Sequence, residues 1–214
     1  MPYDPNRHHR RSIRLKGYDY SQAGAYFITL CTQDRACLFG KVVNGEMRLN
    51  DAGRMVLAEW NRLPERFPQV VLDAFVVMPN HVHGILVITD PAPTVGATPT
   101  VGATPTVGAT TRVAPTVGNI IGAFKSRVTV EYIRGVKTSG WPPFRGRLWQ
   151  RNYYEHIIRN ERALNAIRQY IMENPRRWHR DREKEARSAS DPLAQAIRNM
   201  LKQEEAAHSP GGEP

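Results

Sequence analysis

Little in this chain would stiffen it chemically or anchor it in a lipid phase. Only two cysteines occur among 214 residues, Cys31 and Cys37, so no disulfide framework or cysteine-rich zinc module can hold the fold, and the pattern suits a reducing compartment. No apolar run approaches the roughly 18 residues of a membrane span. The opening MPYDPNRHHRRS is polar and lacks the apolar stretch of a secretory signal. A soluble, intracellular protein without a membrane partner is expected. Acidic residues are also scarce: 20 Asp and Glu face 30 Lys and Arg, a formal charge of +10. That excess points to a polyanionic partner, because Lys and Arg release counterions when they neutralise phosphates. It does not distinguish DNA from RNA. At 41% hydrophobic and 23% charged residues, the composition excludes collagen-like, mucin-like and wholly disordered chains, and the length fits one domain with appendages.

The segments follow in a clear order. Residues 1–17 form a basic arm in which Arg11 and Arg14 are candidate phosphate contacts. Ala25 to Thr32 is rich in β-branched and aromatic residues and predicts a buried strand. Asn44-Gly45 predicts a hairpin turn between Lys41–Val43 and Glu46–Leu49. Asn50 or Asp51 caps a helix reaching about Leu63, where Pro64 stops it. Val70 to Met78 and His81 to Ile88 predict an antiparallel pair joined at Pro79-Asn80. The hexapeptide Pro-Thr-Val-Gly-Ala-Thr then begins at Pro93, Pro99 and Pro105, and Pro115 to Gly118 echoes it. This composition cannot build a core, so residues 91–117 are expected to be a mobile surface insertion that arose by duplication of coding DNA. Apolar residues at helical spacing from Gly118 to Arg134 predict a helix, Leu148 to Ile158 a strand, and Glu161 to Asn174 a helix capped by Asn160 and ended by Pro175. A charged extension, residues 181–214, carries one short helix from about Asp191 with Leu193, Ile197, Met200 and Leu201 on its apolar stripe. Alternation of strands and helices in this order predicts an α+β fold, an antiparallel sheet with helices packed on one face.

Two residue pairs carry possible chemistry. His81 and His83 lie two apart on a strand, so both imidazoles emerge on the same face while Val82 faces the other way. Two polar rings on one face of an otherwise apolar strand need a reason, and a metal ion can bridge them. Tyr170 and Asn174, four apart, share one face of the last helix, so a phenol and an amide oxygen can reach one place. Taken singly, each pair is equally compatible with surface histidines or with a core-edge aromatic beside a helix end.

Taken together they are not. The string Met78-Pro79-Asn80-His81-Val82-His83 resembles the His-hydrophobe-His signature of single-tyrosine transposases. Trp149-Gln150, His156-Ile-Ile-Arg-Asn160 and Tyr170-Ile-Met-Glu-Asn174-Pro175 resemble the corresponding blocks of the REP-associated tyrosine transposases. The resemblance spans roughly Tyr18 to Trp178 without the hexapeptide insertion, and it implies a ferredoxin-like catalytic domain, residues 18–180, with the histidines on a central strand. It further implies Tyr170 as nucleophile and His81, His83 and Asn174 as ligands of a divalent metal, Mg²⁺ or Mn²⁺. The function implied is cleavage of single-stranded DNA beside a hairpin through a 5′-phosphotyrosine, with rejoining, in a monomer or homodimer associated with a bacterial nucleoid. An inactive or regulatory DNA-binding protein of the same fold is the alternative. Tyr153 and Tyr154 are rival nucleophiles by residue type, but neither precedes an Asn or Gln by four residues. Lys125, Arg127, Arg147 and Arg151 are further candidate phosphate contacts, with Trp149, Trp141 and Tyr153 as stacking surfaces. Glu155 and His156 fall in a recurring block of the family with no role that residue chemistry alone assigns.

Overall fold

The computed structural model describes residues 19–20, 22–90 and 115–178, with 195–197, 199–200 and 202–203 of the C-terminal segment. The basic arm with Arg11 and Arg14, and the hexapeptide copies at Pro93, Pro99 and Pro105, lie outside the described residues.

Four strands, β1 (Gly24–Cys31), β4 (Val70–Val77), β5 (His81–Ile88) and β6 (Tyr154–Ile158), form one antiparallel sheet in the order β4-β5-β1-β6. The intervening helices α1 (Asp51–Asn61) and α3 (Val117–Ser139) make this a βαββαβ unit of ferredoxin-like topology. The α+β class and the antiparallel sheet are as the sequence predicts, and the central position of the histidine strand is as the resemblance implies. α1 and α3 pack side by side on one face, against Tyr26, Ile28, Leu30, Val82 and Leu86. α4 (Glu161–Arg177) lies over the opposite face, against Phe27, Ile85 and Ile158. Odd and even positions of β1 and β5 therefore feed two separate cores, as strand alternation requires.

A second hairpin, β2 (Gly40–Val43) with β3 (Glu46–Leu49), turns at Asn44-Gly45, whose φ values of 53° and 78° are those of a type I′ turn. Its tip packs on α4: a Cβ added at Gly45 would stand 3.4 Å from Arg176 Cγ. A bulge interrupts the β4–β5 ladder between Leu72 and Phe75. There the Asp73 carboxylate is held by Arg168 of α4, with Nη2 donating at 2.6 Å and Nε at 2.9 Å. The bulge thus aims an acid at the helix that covers the sheet.

Several boundaries differ from the sequence expectation. α4 runs through Pro175 to Arg177, because proline already has helical φ, and its missing N–H and ring clash affect only the last turn. The continued turn delivers Trp178 to the sheet. The expected strand from Leu148 is confined to Tyr154–Ile158, with only an isolated bridge between Trp149 and Thr32 upstream. α1 ends at Asn61, and Pro64 lies inside a separate short helix, α2 (Leu63–Arg66). The last hexapeptide echo belongs to α3: Thr116 caps the helix with Asn119 in a capping box, and Val117 is buried. In the C-terminal segment the described residues are helical, and Ile197 and Met200 join the α4 core.

Gly84 of β5 is set by close approach. The Trp60 and Phe75 rings stack 4.3 Å apart, and a Cβ at Gly84 would lie 2.6 Å from Trp60 and 2.8 Å from Phe75. Gly84→Ala is expected to destabilise the fold by about 1–3 kcal/mol, read as a lower urea midpoint at unchanged m-value. An unchanged midpoint would show that this packing is looser than the contacts indicate.

Candidate active site

The central position of β5 decides the surroundings of the histidines. With β4 on one side and β1 on the other, and α4 above, His81 is fully buried and His83 is 3% exposed. Their Nε2 atoms face each other at 3.1 Å. His83 Nδ1 lies 2.8 Å from the Thr29 hydroxyl, its cross-strand neighbour on β1, and His81 Nδ1 lies 2.8 Å from Asn80 Oδ1. The Phe27 ring stacks on His83 at 5.6 Å and the Trp178 ring on His81 at 5.9 Å. Burial, with a smaller contribution from the nearby Arg35 charge, pushes the His81 pKa down to about 3. The ring is neutral at physiological pH, the form that ligates metals.

α4 supplies the other two residues. Its cap is Asn160, whose Oδ1 accepts from Ala163 N at 2.8 Å, and its apolar stripe of Ala163, Ile167 and Ile171 seats it on the sheet. The same face carries Tyr170 and Asn174, 8% and 2% exposed. Tyr170 Oη stands 3.4 Å from His83 Nε2. Asn174 Oδ1 is buried and has no hydrogen-bond partner among the described residues. His83 thus touches both His81 and Tyr170, and Asn174 lies one helical turn further along the same face of α4.

The donor set fits a divalent cation. A buried amide oxygen without a partner is costly unless something accepts its lone pairs, and two imidazole nitrogens at 3.1 Å match the roughly 3 Å between two ligands about 2.1 Å from one ion at a right angle. Among the described residues, no group of three or more His, Cys, Asp or Glu is arranged to hold a metal.

No protein-family model matches the chain. A Haemophilus influenzae protein described as uncharacterized is 42% identical over 182 residues, covering 84% of this chain and 95% of its own length. The chain belongs to the same family as that protein. Among solved structures, a REP-associated tyrosine transposase bound to a REP hairpin aligns at 18% identity and TM-score 0.43, over 76% of this chain and 73% of its own. A Deinococcus radiodurans protein described as a candidate transposase aligns at 20% identity and TM-score 0.39, over 75% and 96% of the two chains.

The basic and aromatic candidates are scattered. Arg147 and Arg151 are exposed in the loop before β6. Lys125 Nζ donates to the Gln150 and Arg151 carbonyls at 2.7 and 3.3 Å, tying α3 to that loop, and burial lowers its pKa. Arg127 is on α3, beyond the face opposite the histidines, and pairs with Glu59 and Glu131 at 3.4 and 3.5 Å. Trp149 is not a stacking surface: it is 4% exposed, with its ring against Phe39 and Phe124 at 5.4 and 6.2 Å, because the loop folds it into the α1–α3 core. Trp141 and Tyr153 also pack against that core. Tyr154, by contrast, is 37% exposed and lies in the register row of Thr29 and His83. Thr29, Phe27 and Trp178 were not identified from sequence, since only strand register and the helix beyond Pro175 bring them to the histidines. No helix among the described residues is long and apolar enough to cross a membrane.

The unfolded chain protonates a histidine near pH 6.5, whereas native His81 resists protonation down to about pH 3. Between those values the native state binds fewer protons, so stability is lost as pH falls below about 6.5, by up to about 1.4 kcal/mol per unit. Urea unfolding in chelator at about pH 7 and about pH 5.5 measures this, and His81→Gln should flatten the slope. An identical slope in the variant would show that another group carries it.

Proposed function

We propose that this protein is a metal-dependent, single-stranded DNA endonuclease and strand transferase of the REP-associated tyrosine transposase type, with Tyr170 as nucleophile. The observation that carries the reading is a phenol beside two facing imidazoles, Tyr170 Oη 3.4 Å from His83 Nε2, with the unmatched amide oxygen of Asn174 one turn further along α4. The +10 charge and the residue blocks quoted above support a nucleic-acid substrate.

His81, His83 and Asn174 would hold a divalent cation, Mg²⁺ or Mn²⁺, whose contribution when bound is polarisation of the scissile phosphate and stabilisation of its developing charge. Tyr170 Oη attacks the phosphorus, and the bond to the 3′ oxygen breaks. One DNA end is left as a 5′-phosphotyrosine and the other as a free 3′-hydroxyl. The phenol loses a proton and the departing oxygen gains one, so neither water nor a nucleotide cofactor is consumed. Attack of a 3′-hydroxyl on the phosphotyrosine reverses the step and joins strands. A phenol with an ordinary pKa near 10 is a weak nucleophile, so its placement matters: the α4 stripe and the Asp73–Arg168 pair hold the helix that aims it. Arg147 and Arg151, with Arg11 and Arg14 of the arm, supply phosphate contacts along the strand and any adjoining hairpin.

A hairpin oligonucleotide with a single-stranded flank should form a covalent protein–DNA adduct on a denaturing gel when Mg²⁺ or Mn²⁺ is present. Tyr170→Phe should abolish the adduct and Tyr154→Phe should retain it, while His81→Ala, His83→Ala and Asn174→Ala each lower its rate at least about tenfold. Loss of the adduct in Tyr154→Phe and its survival in Tyr170→Phe would move the nucleophile to β6. Hairpin binding with no adduct under either cation would favour the purely DNA-binding alternative.

A further inference from the structure

We propose that Asn80 and Thr29 are positioning residues that decide which ring nitrogen of His81 and His83 carries the hydrogen, with Asn80 locking one ring and Thr29 serving both tautomers of the other. The inference deepens the metal-site reading and rests on it for its consequence, though not for its geometry.

Asn80 is fully buried. Its Nδ2 donates to the Arg35 carbonyl at 3.0 Å, which fixes the amide with Oδ1 towards His81 Nδ1 at 2.8 Å. An amide oxygen can only accept, so Nδ1 must carry the hydrogen. A neutral imidazole has just one N–H, and His81 Nε2 is therefore left as a lone pair aimed at His83. The Arg35 carbonyl is itself held by an unusual turn, for Asp34 and Arg35 are consecutive non-glycine residues at φ 55°. Such strain persists only where the surroundings over-determine it.

Thr29 acts differently because a hydroxyl both donates and accepts. With no cation bound, His83 Nε2–H can donate to the His81 lone pair across the 3.1 Å gap while the Thr29 hydroxyl donates to His83 Nδ1 at 2.8 Å. When both Nε2 atoms face a cation, the hydrogen resides on His83 Nδ1 and Thr29 accepts it. One ring is thus a fixed ligand and the other a convertible one, and neither state leaves a buried ring nitrogen unmatched. Partners of this kind typically change metal affinity by 10–100-fold.

Nitrogen-15 NMR of the imidazoles in the cation-free protein reads the tautomers directly. His81 is expected as the Nδ1–H form in the wild type and in Asn80→Asp, which keeps the acceptor, but not in Asn80→Ala. Titration with Mn²⁺ should show affinity about 10–100-fold weaker in Asn80→Ala and Thr29→Val, and within a few-fold of wild type in Thr29→Ser. If Asn80→Ala does not fold, the Thr29→Val and Thr29→Ser pair decides alone. Retention of the His81 Nδ1–H form in Asn80→Ala overturns the lock, and equal Mn²⁺ affinity in Thr29→Val and Thr29→Ser overturns the convertible partner. A wild type that binds no cation while showing the expected tautomers would instead remove the metal reading and leave the hydrogen-bond assignment standing.

Discussion

Two imidazoles buried on the central strand of an apolar sheet are the constraint on which the rest of this site depends. A strand offers its side chains only two directions, β5 has hydrogen-bonded neighbours on both edges, and α4 covers the face on which His81 and His83 emerge, so neither ring can turn out to water. Each buried ring nitrogen then needs a partner or a hydrogen-bond cost is incurred. The partners come from four places: Asn80 beside the motif, Thr29 across the ladder, the facing ring, and Tyr170 from α4. Covering the polar pair with an amphipathic helix is what brings a tyrosine and an amide oxygen to it.

α4 is accordingly held by more than its apolar stripe. The bulge in β4 turns Asp73 towards Arg168, whose hydrogen bonds keep the carboxyl below its usual pKa and anchor the middle of the helix. The β2–β3 turn abuts Arg176 near its end. The helix passes Pro175 and carries Trp178 over the His81 ring. These contacts lie on three different segments of chain, and together they set the position of the Tyr170 hydroxyl against His83.

Much of this was legible in the sequence, for physical reasons that can be named. The i, i+2 histidines and the i, i+4 tyrosine–asparagine pair follow from the periods of strand and helix, and the Asn44-Gly45 turn and the Asn50 and Asn160 caps from local backbone chemistry. What was not legible depends on register and tertiary packing. Thr29 meets His83 only because β1 pairs with β5 in one particular register. Trp149 reads as an exposed aromatic beside basic residues, yet the loop from α3 carries it into the core. Pro175 reads as a stop, but its cost is small in a last turn that packing already holds.

Under the proposed function the excess of positive charge narrows in meaning: a buried donor set beside a phenol would need its substrate brought to it by surface cations. The central claim is that Tyr170 becomes covalently joined to DNA. Its most direct test is mass spectrometry of peptides from protein incubated with hairpin DNA and Mn²⁺, then treated with nuclease. A nucleotide-phosphate addition on Tyr170, in the α4 peptide, is the predicted result; the same addition on Tyr153 or Tyr154, or none on any tyrosine, would contradict the account.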